Sequence, residues 1–159
     1  MPQRVNKDGT PQYDVVARLK ADFPHLTFVI NGGFKTNAQI AEQLIDLDGV
    51  MVGREAYHNP WLMATWDHDF YGDAQTTCTR ESVEENLVLY MAQEASQNGT
   101  PWSNIARHML GLRHGLPGAR LWRQVWSDHR LRGESPFTVM QMAHAASEVA
   151  PSSAAIAHA

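Results

Sequence analysis

The segment from Thr27 to Tyr57, TFVINGGFKTNAQIAEQLIDLDGVMVGREAY, constrains the fold more than any other part of this chain. Phe28-Val29-Ile30 and Val50-Met51-Val52 are short apolar runs rich in β-branched residues, and each stops at or just before glycine. A run without polar alternation predicts a strand covered on both faces. Between them, Thr36 or Asn37 can cap a helix whose apolar stripe is Ile40, Ala41, Leu44 and Ile45. Strand, helix and strand with short joins predict a βαβ unit with parallel strands.

Both glycine loops then fall at the carboxyl ends of parallel strands, where α/β proteins bind ligands. Gly32 and Gly33 leave backbone N–H groups open to a close approach, and such groups can form a nest for an anion. Gly53 repeats this on the neighbouring strand, and Arg54 adds a fork of donors suited to phosphate oxygens. Tight turns alone would use the same glycines; it is the Gly-Arg pair beside Gly-Gly that points to phosphate.

The rest of the chain extends this pattern. Tyr13, Val16, Leu19 and Phe23 lie at helical spacing, and Pro24 ends that helix before the first strand. Helix, strand, helix and strand match the last quarter of a (β/α)8 barrel. Such a barrel needs about 200 residues or more, and this chain has 159. The expectation is therefore the C-terminal part of a longer protein, with free strand edges open to the remaining strands or to self-association. Glu55-Ala56-Tyr57 predicts one helical turn, broken by Asn59-Pro60. That turn would add N–H groups to the phosphate site. Trp61, Leu62, Met63 and Trp66 are expected to pack the barrel part against the C-terminal half of the chain. His58 and His68 have no second ligand-type side chain in a convincing cluster, so no metal site is expected, and His58 reads as a surface residue.

Residues 72–79 have linker composition and set a boundary. The single cysteine, Cys78, lies there; it excludes an internal disulfide and fits a reducing cytoplasm. From Arg80 onward the pattern is helical. Ser82 and Glu85 form a capping-box pair, followed by Val83, Leu87, Tyr90, Met91 and Ala95 as an apolar face ending at Asn98-Gly99. A second helix is expected over 103–114, with Ile105, Met109 and Leu112 inward. A third spans 118–130, burying Leu121, Trp122, Val125 and Trp126. A fourth starts at Pro136 and buries Phe137, Met140, Ala143 and Val149. The fold class expected is thus α/β plus all-α: residues 1–73 as the last βα units of a TIM (β/α)8 barrel, 74–150 as a four-helix bundle, and 151–159 as a flexible tail.

The net charge is −4, which excludes a globally basic nucleic-acid binder and confines any such contact to a local patch. Arg107, Arg113, Arg120 and Arg123, with His108 and His114, supply one. Gly111 between Arg107 and His114 would let a backbone approach closely. A solvated charged face is the alternative. Trp102, Trp122 and Trp126 could stack on bases, but at helical spacing they read as core.

INGGFKT with LDGVMVGREAYHNPWLM resembles the end of the barrel in tRNA-dihydrouridine synthases, and IARHMLGLRHGLPGARLWRQ resembles the helical domain of the A-type enzymes. The likeness runs from about Tyr13 to near Val149. It implies an FMN-dependent oxidoreductase that takes hydride from NADPH and reduces a uridine in the tRNA D-loop. It also implies that Asn31, Gly32, Gly33, Gly53 and Arg54 lie against the flavin phosphate, and that the helical part docks tRNA. The family's catalytic cysteine belongs to a motif that Cys78 does not match, so no catalytic residue is expected in this chain, which should be inactive alone. Two rival readings remain at this point. One is an RNA-gripping bundle with a vestigial barrel piece; the other is a part of a different phosphate-binding flavin barrel.

Overall fold

The computed structural model describes residues 13–74 and 78–148. Residues 1–12, Val149 and the expected tail lie outside them. In chain order come α1 (Tyr13–Asp22), β1 (Val29–Asn31), α2 (Asn37–Gln43), β2 (Gly49–Met51), α3 (Arg54–His58), a 3-10 segment (Pro60–Thr65) and α4 (Trp66–Tyr71). Then follow α5 (Arg80–Asn98), α6 (Trp102–Ala106), α7 (Ala119–Trp126), a 3-10 turn (His129–Leu131) and α8 (Pro136–Glu148). Among the described residues no helix is long and apolar enough to cross a membrane.

The βαβ unit forms as its pattern predicts. The Thr36 hydroxyl caps α2 by accepting from the Gln39 N–H, and β1 pairs with β2 in parallel, Ile30 opposite Val50 and Asn31 opposite Met51. Ile30, Phe34, Ile40 and Leu47 make its core, packed by Tyr13, Val16, Leu62 and Trp66. Coverage on both strand faces is not found: Val29 is 58% exposed and Met51 53%, because the described residues supply one packing layer and two strands. The α2 stripe is also shorter than expected. Ala41 is exposed, and Ile45 is 79% exposed because the helix ends at Gln43 and the chain turns before it. Leu47 takes its place.

A second core gathers Val88, Met91, Trp102, Ala106, Met109, Leu112, Trp122, Trp126, Val139 and Ala143. Trp61 packs on this core and Leu62 and Trp66 on the other, so the 3-10 segment bridges the two; Met63 points outward. The α5 cap differs from expectation: Thr79 is the N-cap, its hydroxyl accepting from Ser82 N–H, while Ser82 Oγ accepts from Thr79 N–H. The inward face is also turned by about one residue, roughly 100°. Glu84, Val88 and Met91 are buried, Met91 as expected, and Val83 and Leu87 pack on the core as expected, whereas Tyr90 and Ala95 are exposed.

The four-helix bundle is not observed as expected. Only 102–106 of the second helix is α-helical; beyond it, i to i+3 bonds such as Leu112 N–H to Met109 O and His114 N–H to Gly111 O wind the chain through tight turns. Met109 and Leu112 nonetheless face inward. The third helix stops at Trp126, and Asp128 caps a separate 3-10 turn. In α8 the buried residues are Pro136, Val139 and Ala143, leaving Phe137 42% exposed. At the start of α7, Gly118 has φ +73, and a Cβ there would fall on the carbonyl oxygen of Ser147 on α8 and lie 2.9 Å from its carbonyl carbon.

Candidate functional site

Because Asn31 and Met51 are register partners in a parallel pair, the chain leaves both strands at the same end. Asn31-Gly32-Gly33 therefore turns out of β1 beside the Val52-Gly53-Arg54 exit from β2. Gly33 adopts φ +70, a conformation that glycine enters without strain. A Cβ at Gly33 or at Gly53 would touch nothing within 4 Å, so protein packing leaves both positions open to an incoming group. Asn31 and Arg54 are exposed. Gly53 is the N-cap of α3 and brings no side chain to its first turn. Among the described residues, no carboxylate pairs with Arg54. An open glycine turn, an adjacent glycine exit and an unpaired guanidinium together fit a phosphate group.

Gly32 answers to a different constraint. Its Cβ would fall on the ring of Tyr13, with the phenol oxygen 2.7 Å away, and the Tyr13 hydroxyl donates to the Gly32 carbonyl. The Tyr13 ring stacks on Phe34 with centroids 5.3 Å apart. Burial pushes the Tyr13 phenol above its ordinary value, so it stays a donor throughout the neutral range. Sequence spacing places Tyr13 on a helix face but shows no link to the loop nineteen residues on.

The basic residues divide. Tyr57, His58, Arg107, His108, His114 and Arg123 line one pocket of about 500 Å³ where α3 meets the 107–114 turns. Gly111 makes that junction: a Cβ there would lie 2.8 Å from the carbonyl carbon of His58 and 2.9 Å from Pro60 Cδ. The close backbone approach expected of this glycine is thus found, and His58 is exposed as expected. Arg107 Nε donates to His108 Nε2 at 3.0 Å, and His108 Nδ1 lies 3.0 Å from the Tyr57 hydroxyl. A guanidinium only donates, so Nε2 accepts and the ring proton sits on Nδ1, directed at the phenol oxygen. The phenol proton is left free for the pocket.

Arg120 and Arg123 lie exposed on α7. Arg113 does not join them. Its side chain is 12% exposed and its Nη2 bonds Glu84 at 3.3 Å and Glu81 at 3.4 Å, with His144 Nε2 lying 3.2 Å away. The reason is Glu84, a fully buried carboxylate whose Oε1 accepts from the indoles of Trp122 (2.8 Å) and Trp126 (3.0 Å), with His144 Nε2 2.9 Å from Oε2. A buried charge needs a partner, and Arg113 is drawn in to serve it. The tryptophans read as core are core, and the N–H groups of Trp122 and Trp126 are committed to Glu84. Cys78 is exposed and free.

The chain is 44% identical over 139 residues to a tRNA-dihydrouridine(20/20a) synthase of Pseudomonas syringae pv. tomato, covering 87% of this chain and 41% of that protein. It is 43% identical to the enzyme of the same name from Escherichia coli strain K12 (87% and 40%) and 41% identical to that of Vibrio vulnificus (87% and 42%). The chain thus spans about two fifths of the length of these relatives. The family model described as dihydrouridine synthase (Dus) matches residues 2–150. With glycine loops side by side on parallel strands and this family match along nearly its whole length, the chain belongs to the dihydrouridine synthase family.

Proposed function

We propose that this chain is a portion of a tRNA-dihydrouridine synthase, contributing the last βα units of a (β/α)8 barrel and a helical tRNA-docking part. Asn31, Gly32, Gly33, Gly53 and Arg54 hold the phosphate of FMN in this reading. Bound FMN would supply the hydride carrier between NADPH and a uracil ring. The residues of this chain act by binding: open backbone N–H groups at Gly33 and Gly53 face the phosphate, and the Arg54 guanidinium neutralises it. Arg107, Arg120 and Arg123 contact the tRNA backbone, which is recognised largely through shape and phosphates. Arg113 is left out because it serves Glu84. The acid that protonates the reduced ring is assigned to no residue of this chain, Cys78 included, so the chain alone forms no dihydrouridine.

The observation that carries this reading is the shared end of β1 and β2, which sets the two glycine exits next to each other. An FMN titration followed by flavin fluorescence tests it. A charge-assisted hydrogen bond contributes about 1.5–3 kcal/mol, so Arg54→Ala should weaken FMN binding about 10- to 100-fold. Equal affinity in the variant would remove the basis for placing the phosphate at Arg54.

A further inference from the structure

We propose that Tyr13 is a positioning residue for the phosphate loop: by holding the Gly32 carbonyl inward, it aims the Gly33 N–H outward at the anion. The proposal rests on reading that loop as a phosphate cradle. A peptide unit is planar, and the described residues contain no cis bond. In a trans peptide the C=O of residue 32 and the N–H of residue 33 point in opposite directions. Fixing one therefore fixes the other.

The pin is needed because of what flanks it. The 32–33 peptide lies between two glycines, with Gly33 at φ +70, so neither side has a Cβ to resist its rotation. Rotated by half a turn, it would present a carbonyl oxygen to the phosphate and repel it. The Tyr13 hydroxyl bond to Gly32 O prevents this. The ring itself is fixed without that bond, stacked on Phe34 and filling the space above Gly32. Its helix is tied down separately: Lys20 Nζ lies 2.9 Å from Asp48 Oδ2, and the Phe28 N–H donates to the same carboxylate at 2.8 Å. The hydroxyl can thus be removed while the packing stays.

The experiment compares FMN with riboflavin, which lacks the phosphate, on the wild-type chain and Tyr13→Phe. A lost neutral hydrogen bond corresponds to about 3- to 10-fold in binding. The expected result is a loss of that size for FMN in Tyr13→Phe with riboflavin binding unchanged. Tyr13→Phe binding FMN as tightly as wild type, or losing both flavins equally, overturns the proposal, since the second outcome means general loosening. A wild-type chain that does not prefer FMN to riboflavin overturns the phosphate reading itself, and the proposal with it. A second measurement needs no variant: the Gly33 amide resonance should move when FMN is added and stay with riboflavin. FMN binding that leaves this resonance unmoved also refutes the proposal.

Discussion

Replacing Glu84 by Gln isolates the charge at the centre of the helical core. Glutamine keeps the shape and an oxygen for the two indoles, so the contacts at 2.8 and 3.0 Å can survive. The other end turns unfavourable: an amide NH2 would face the Arg113 guanidinium at 3.3 Å, donor against donor. Arg113 has little recourse, because its Nε is already buried without an acceptor and its side chain is 12% exposed. Breaking a buried ion pair from one side costs about 3–5 kcal/mol. The retained indole bonds favour the lower end, about 3 kcal/mol. For a chain of this size that corresponds to a fall in Tm of roughly 6–12 °C. Thermal unfolding followed by near-ultraviolet circular dichroism reads the event directly, since Trp122 and Trp126 are the partners concerned. Glu81→Gln is the control: its contact to Arg113 is 3.4 Å and its side chain 56% exposed, so it should change stability by less than about 1 kcal/mol. A Glu84→Gln melting curve within about 2 °C of wild type, under 1 kcal/mol for a chain of this size, would refute the argument that Arg113 depends on this charge.

Three further outcomes are expected. Gly111→Ala forces a methyl group against the His58 backbone, which cannot yield as a side chain can; urea unfolding should show a loss of about 1–3 kcal/mol, and unchanged stability would mean the junction is loose. Arg123→Ala should weaken tRNA binding and lower its salt dependence by about one unit of slope with the melting curve unchanged, whereas Arg113→Ala should lower stability first; the opposite pattern would exchange the roles of the two arginines. The Lys20 ammonium and the Phe28 N–H hold the Asp48 carboxyl below its ordinary value. The folded pKa is thus the lower one, so this tie stabilises fully above about pH 4 and is lost as pH falls through the folded value. Asp48→Asn should therefore show a shallower acid decline in Tm than wild type, and parallel curves would contradict it.

The βαβ unit was legible because its signals are local: β-branched runs stop at glycines, and Thr36 stands where a cap must stand. The two neighbouring glycine exits follow from the same signals, since parallel pairing places both at one end. What could not be read depends on partners far along the chain. Nothing near Glu84 marks it as buried; its partners are 29 to 60 residues away, and only their convergence turns α5 to face inward with a carboxylate. Arg113 looked like its three basic neighbours for the same reason. The 107–114 stretch carries helical spacing but is wound into tighter turns where Gly111 seats on the backbone after α3. Spacing recorded which residues face inward there without recording the winding that carries them.

Two of the closest approaches in this protein are made by main chain against glycine: His58 on Gly111, and Ser147 on Gly118. Every amino acid carries the same carbonyl, so the identity of residues 58 and 147 is nearly free at these contacts. Any side chain on the glycine across from each meets that main chain, and at Gly118 a φ of +73 adds backbone strain. Tolerance to substitution is therefore one-sided at both seams. A library covering these positions would lose little stability on one side and lose it with every replacement of glycine on the other, although the two sides touch equally.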